Sequence, residues 1–374
     1  MFNKKMMQII LAFSTLLGLV AATPLLAQQP SAALKEEFPE LSTFFDAFKV
    51  THGAMLQKVV SISESPSTAD SRNHLAHTLK MRSEMTMHQM MSMPSEGKMA
   101  PFGKLELEAT AELVEMFESK HNPSSVRNAF SNVPGLSRAA VRVIEQGRSF
   151  QTRLFDIYAD KGLTAKRDAV NAAINDYLKD QSAVSDQAKD PTLLDAYPYD
   201  TAFKTAFPEF NGLNWTTQWL EFAALQALML KGSDPKFDDS VSTAIKRFNT
   251  KVNGVSMSSI PTEMPMAPVI APLLYHQHPR AAIILDNLNM FEVGVADILV
   301  HPGVKDKGRA MQQVVKEFTD SSNLLNNHDY LYWALRGGLF NQGGPALGAP
   351  LSKSERNRSR AEMDMQHAMT MSSP

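Results

Sequence analysis

The sequence predicts an all-α protein, folded as a multi-helix bundle in two layers or in two helical subdomains, with a flexible Gly-tethered C-terminal tail. Apolar residues recur at three- and four-residue steps along most of the chain, which is the spacing of helices that bury one face. No segment shows the sustained alternation of apolar and polar residues expected of a strand. Proline and glycine gather in a few short stretches, and these divide the helical segments from one another.

The first residues have the layout of a secretory signal. Lys4 and Lys5 form a basic start, an apolar run follows over residues 9–20, and small residues come next, so that cleavage is expected after Ala22 or Ala27. No later segment reaches the roughly 18 uninterrupted apolar residues of a membrane helix. We therefore expect an exported protein of the bacterial periplasm, with an uncleaved anchor as the alternative.

The N-terminal half contains a series of helical patterns. In the first, Leu41, Phe45 and Phe48 share one side at helical spacing. Thr164 is placed to cap the last, because its hydroxyl can accept a hydrogen bond from a free N–H group at the helix start. The predicted helices cover residues 33–60, 71–92, 103–121, a short stretch after Pro123, 136–160 and 165–180.

The C-terminal half begins after an irregular stretch, residues 181–213, which contains three prolines. A second proline-rich stretch, residues 258–279, contains five prolines and is expected to be extended. The predicted helices of this half cover residues 214–231, 236–252, 279–301, 306–320 and 327–336.

These patterns predict five regions along the chain. The boundaries are drawn at the proline-rich connection and at the glycines that follow the last helix. The regions are a signal peptide (1–27), an N-terminal helical region with a Met/His-rich helix (31–180), an irregular connection (181–213), a C-terminal helical region (214–340) and a flexible basic, Met/His-rich tail (341–374).

The amino-acid composition limits which ligands, nucleophiles and partners the chain can use. The chain has no cysteine, which excludes disulfides, thiolate ligands and thiol nucleophiles. A net charge of −2 favours neither nucleic acid nor anionic lipid as a partner. Methionine is abundant, at 22 residues. Much of this excess lies in two similar segments, EMTMHQMMSM at 84–93 and EMDMQHAMTM at 362–371.

The first of these segments extends a row of potential metal ligands that begins at His74 and shares one side of a helix. On a helix, one arc of about 120° contains the side chains of His74, His77, Met81, Met85, His88 and Met91. Thioethers suit Cu(I) or Ag(I), and imidazole binds either oxidation state of copper. The Met-x-Met and His-x-x-Met patterns resemble those of periplasmic copper-handling proteins. The sequence thus predicts a copper site, with Cu(I) favoured, whose ligands are His74, His77, Met81, Met85, His88 and Met91, together with Met363, His367 and Met371 at four-residue steps in the tail.

Two alternatives stay open. A methionine stripe can equally be core packing or an adaptable surface for a partner helix, so the chain can be a non-enzymatic scaffold of the cell envelope. A third cluster, His276, His278, Asp286, Asp297 and His301, would suit a metal-dependent enzyme if these side chains converge, although buried hydrogen bonds explain the acids as well. No nucleophile elbow, phosphate-binding glycine loop or His-Glu-x-x-His motif is present, so no reaction is predicted.

Overall fold

The computed structural model describes residues 33–84, 100–117, 119, 121–190, 201–253 and 260–347, and confirms the all-α prediction for them. Their only β interaction is an isolated bridge between Lys189 and Leu324. The helices are α1 (Ala33–Glu37), α2 (Pro39–Glu64), α3 (Ala69–Glu84), α4 (Gly103–Phe117), α5 (Pro123–Arg127), α6 (Arg138–Ala159), α7 (Lys166–Tyr177), α8 (Thr201–Ala206), α9 (Pro208–Leu230), α10 (Ser240–Asn253), α11 (Ala267–Ile270), α12 (Pro272–Gln277), α13 (Pro279–Val300), α14 (Lys307–Thr319) and α15 (Asn327–Arg336).

Helices α9 and α13 form the centre of the bundle. Both are buried nearly all round, which is typical of a helix surrounded by others. Helix α13 packs against α2, α6, α8 and α14, and α9 packs against α2, α6, α10 and α12. Each begins with a proline in its first turn, where the missing N–H group costs nothing.

One continuous apolar core joins the two halves of the described chain, from Ala33 to Ala346. Aromatic side chains knit α2, α4 and α10 together. The ring of Phe48 lies 5.5 Å from that of Phe117 and 5.2 Å from that of Phe248, measured between centroids. Such tilted and edge-on pairs stabilise a core beyond the apolar area that they bury.

Two proline-rich stretches differ from expectation. Residues 201–213 and 267–277 were expected to be irregular or extended, yet they form α8, the first turn of α9, α11 and α12. Pro208, Pro268 and Pro272 stand in first turns, where proline starts a helix instead of breaking one. The connection 181–190 agrees better with prediction, because it is irregular and lies along α13 and α14.

The signal peptide predicted at 1–27 and residues 348–374 of the Met/His-rich tail predicted at 341–374 lie outside the described residues. Residues 341–347 of that predicted tail pack on the bundle, where Trp219 Nε1 donates to the carbonyl oxygen of Gly344, 2.8 Å away. Within the described ranges, no helix is at once long enough and apolar enough to cross a membrane.

Candidate functional site

Helix α3 carries the first part of the predicted metal site on its solvent side. Leu75 and Leu79 are buried and anchor the helix against its neighbours, α2 and α8. His74 and His77 are exposed, and Met81 is half-buried. Neither imidazole makes a hydrogen bond or ion pair within the described part of the chain. Both histidines are therefore surface groups with free ring nitrogens, and core packing does not explain them.

The other predicted ligands lie outside the described residues. They are Met85, His88, Met91, Met363, His367 and Met371. Within the described ranges, no three His, Asp or Glu side chains gather closely enough to hold a metal ion.

Asp286, from the third predicted cluster, caps a neighbouring segment instead of facing a cleft. Its carboxylate accepts hydrogen bonds from the N–H group of Ala267, 2.9 Å away at the start of α11, and from the hydroxyl of Tyr330. Burial raises the pKa of Asp286 to about 7, although both hydrogen bonds act to lower it.

The other members of this predicted cluster lie in separate parts of the structure. Asp297 accepts a hydrogen bond from the N–H group of Phe203, 2.7 Å away in α8, and His301 Nδ1 accepts one from Gly303. His276 and His278 line an open cleft at the far end of α13. The five side chains therefore do not converge, and their geometry provides no shared centre for an enzyme.

A buried ionic cluster that sequence reasoning missed lies at the centre of the bundle. Arg148 of α6 donates two hydrogen bonds to Glu292 of α13, one of them 2.9 Å from Nε to Oε1. Its Nη1 lies 2.8 Å from both carboxylate oxygens of Glu221 on α9, and 3.0 Å from Gln151. His52 of α2 completes the cluster, with Nδ1 3.5 Å from Glu292. Four long helices thus meet at one guanidinium.

The protonation states of the cluster follow from its burial. Burial lowers the pKa of His52 to about 3, and the positive charge of Arg148 adds to this, so the imidazole is neutral. Burial alone would lower the pKa of Arg148, but Glu221 and Glu292 more than offset it and raise that pKa above its ordinary value. Burial raises the pKa of Glu292, and the guanidinium opposes part of this rise.

The buried ionic cluster has little space beside it for a substrate or a metal ion. The cavity beside it has a volume of about 20 Å³, which is space for about one water molecule. The guanidinium of Arg148 already occupies the position between Glu221 and Glu292 that a bound cation would take. The cluster therefore holds four helices in register and has no capacity left for a substrate or a metal ion.

A signal for Arg148 is present in the sequence. Arg148 lies four residues after Ile144 and two before Phe150, among the buried residues of α6. A charged residue within the apolar stripe of an amphipathic helix needs a buried partner of opposite charge, and acids inside the apolar segments of α9 and α13 are the natural candidates.

Comparison of the chain with protein-family models, with curated proteins and with solved structures finds no match.

Proposed function

We propose that this chain is an exported, periplasmic protein that binds a soft metal ion, with Cu(I) or Ag(I) preferred, in storage, resistance or delivery. The observation that supports this most directly is the arrangement of α3. Leu75 and Leu79 account for the packing of the helix, while His74 and His77 stand in solvent three residues apart. Residues at this spacing are neighbours on a helix surface and can contribute to one ion.

The ligand chemistry supports the same proposal. With no cysteine in the chain, methionine is the available sulfur ligand, and Met81 and the Met-rich residues 85–93 that follow in the sequence supply it. Methionine forms no disulfides in an oxidising compartment, which suits a site that has to capture Cu(I) there.

The test is a Cu(I) titration of the full chain against a competing chelator. One variant changes the five methionines of the predicted site, Met81, Met85, Met91, Met363 and Met371, to leucine. A second variant changes His74 and His77 to alanine. Leucine keeps the apolar volume, so packing is retained while the sulfur is lost. We expect each variant to weaken Cu(I) binding at least about tenfold, the equivalent of about 1.4 kcal/mol.

His328→Ala is the matched control, because that histidine is 89% exposed and lies on α15. Its affinity for Cu(I) should equal that of the unchanged chain. Equal Cu(I) affinity in the methionine-to-leucine variant and the unchanged chain would overturn the proposal.

A scaffold function is the second candidate, and the outer face of α15 favours it. Tyr332 and Leu335 are 63% and 65% exposed, and they lie on one side of that helix at a three-residue spacing. The Met-rich segments 84–93 and 362–371 would then bind a partner protein instead of a metal ion. In that case, deletion of residues 352–374 should abolish complex formation whether or not copper is present.

A further inference from the structure

An open cleft of about 410 Å³ lies where the end of α6, the start of α7 and the junction of α12 and α13 meet. This is room for about a dozen water molecules. Each polar side chain that lines it carries N–H or O–H groups, and no carboxylate lines it. The lining residues are Tyr158, Lys166, Arg167, Met229, His276, Gln277 and His278.

Two cationic side chains set the charge of the cleft. The ammonium of Lys166 is held in place by carbonyl oxygens at the end of α6, those of Ile157 at 2.8 Å and Asp160 at 2.7 Å. Arg167 is exposed and makes no hydrogen bond or ion pair within the described residues. The cleft thus combines one fixed positive charge with one guanidinium whose donors are unused.

His278 adds a buried polar atom that lacks a partner. The side chain is only 4% exposed, its Nε2 lies 2.6 Å from the hydroxyl oxygen of Tyr158, and its Nδ1 has no partner within the described residues. Burial lowers the pKa of His278, and the nearby charge of Arg167 lowers it further, so the ring is neutral at pH 7. When Tyr158 donates to Nε2, the ring proton resides on Nδ1, where it meets no acceptor of the described residues.

We propose that this cleft is a binding site for a small oxyanion, a carboxylate or phosphate group. Arg167 supplies a planar pair of N–H donors, Lys166 a fixed positive charge and His278 a buried N–H group. Charge-assisted hydrogen bonds of this kind are the strong ones, and arginine is suited to oxyanion geometry. His278 also stands at the N-terminal end of α13, a long helix whose dipole favours negative charge there.

The same features argue against a metal ion as the occupant. His276, His278 and Met229 are potential soft ligands, but two cations and no carboxylate surround them. A bound cation would be repelled by Lys166 and Arg167 across a low-dielectric surface. The anion site is thus independent of the metal site proposed on α3, and either can fail without the other.

Isothermal titration of the full chain at low ionic strength tests the proposal, with inorganic phosphate in one arm and citrate in the other. Binding in both arms indicates a general oxyanion site, and binding in one arm identifies the class of ligand. We expect Arg167→Gln to weaken the binding at least about tenfold. No binding of either anion below about 10 mM would overturn the proposal.

Arg142→Gln is the matched control. Arg142 is exposed on the same helix as Tyr158, about 24 Å away along the axis at 1.5 Å per residue. The control should bind as the unchanged chain does. Equal losses in Arg142→Gln and Arg167→Gln would show that diffuse surface charge attracts the anion, and this would refute the site.

The imidazole nitrogen resonances of His278 give a second readout that does not depend on a variant. Bound anion should shift the Nδ1 resonance, because that atom donates to it, and should leave that of the distant His328 unchanged. A titration that releases heat without moving the His278 resonances would contradict the assignment.

Discussion

Replacing Arg148 with methionine should be among the most damaging single changes in this protein. The side chains of Arg148, Glu221 and Glu292 are 8%, 6% and 0% exposed. Methionine keeps much of the apolar length of arginine, so that the main loss is the charge and its hydrogen bonds. Two carboxylates would then lie in the core without the guanidinium that bonds to both.

The expected loss of unfolding free energy is about 3–5 kcal/mol, the usual cost of removing one partner from a buried ion pair. Arg153→Met is the matched control, since it makes the same change on the same helix. Arg153 pairs with Asp176 at 3.0 Å, but the two side chains are 38% and 49% exposed. An exposed pair of this kind contributes at most about 1 kcal/mol.

Equilibrium unfolding in urea, followed by tryptophan fluorescence, measures both variants. Trp215 and Trp219 are buried in α9, next to Glu221, and report on loss of the core. The deficit of Arg148→Met should shrink as the pH falls from 8 to 5. Burial raises the pKa of Glu292 and the guanidinium of Arg148 opposes that rise. Without Arg148 the carboxyl therefore takes up a proton at higher pH than in the unchanged protein, and this proton removes a buried charge.

A rescue variant separates charge from packing. Adding Glu221→Gln and Glu292→Gln to Arg148→Met removes all three charges, and this should restore at least half of the lost stability. The reasoning is refuted if Arg148→Met costs no more than Arg153→Met. It is also refuted if the deficit is the same at pH 5 and pH 8.

Three further outcomes are expected in the same assay. Burial raises the pKa of Glu106 to about 8, so this group destabilises the fold as the pH rises from about 5 to 8, and Glu106→Gln should remove that slope. A Cβ atom on Gly53 would lie 2.0 Å from a backbone oxygen, and Gly53→Ala should cost at least about 3 kcal/mol, more than Gly147→Ala, where a movable leucine side chain is the neighbour. Tyr330→Phe should cost about 1–3 kcal/mol at pH 8 and less at pH 5, where Asp286 is protonated.

Much of the fold could be predicted from sequence because amphipathic spacing is a local signal. The helices expected at 136–160, 279–301 and 327–336 agree with α6, α13 and α15 to within two residues at each end. The proline-rich stretches were harder, since one residue type both ends helices and starts them. Whether a proline at a given position does the one or the other depends on the tertiary contacts that the following turn makes.

The candidate sites were predictable only in part. Spacing on a helix places His74 and His77 on the side of α3 opposite to Leu75 and Leu79, as the structure has them. It says nothing about which residues of different helices meet. The pairing of Arg148 with Glu292 spans 144 positions, and the cleft at His278 depends on its contact with Tyr158, 120 positions away.

The ionic cluster and the proposed ligand sites differ in how much bonding capacity remains for a ligand. In the interior, the guanidinium of Arg148 is shared between two carboxylates, so its bonding capacity is used within the chain. At the surface, His74, His77 and Arg167 have donors or lone pairs without protein partners in the described ranges. Because a ligand binds to groups that folding has left unoccupied, the metal ion and the anion that we propose are expected at these groups and not at the ionic cluster. Changes in the ionic cluster should therefore lower stability and leave ligand affinity in the remaining folded protein unchanged.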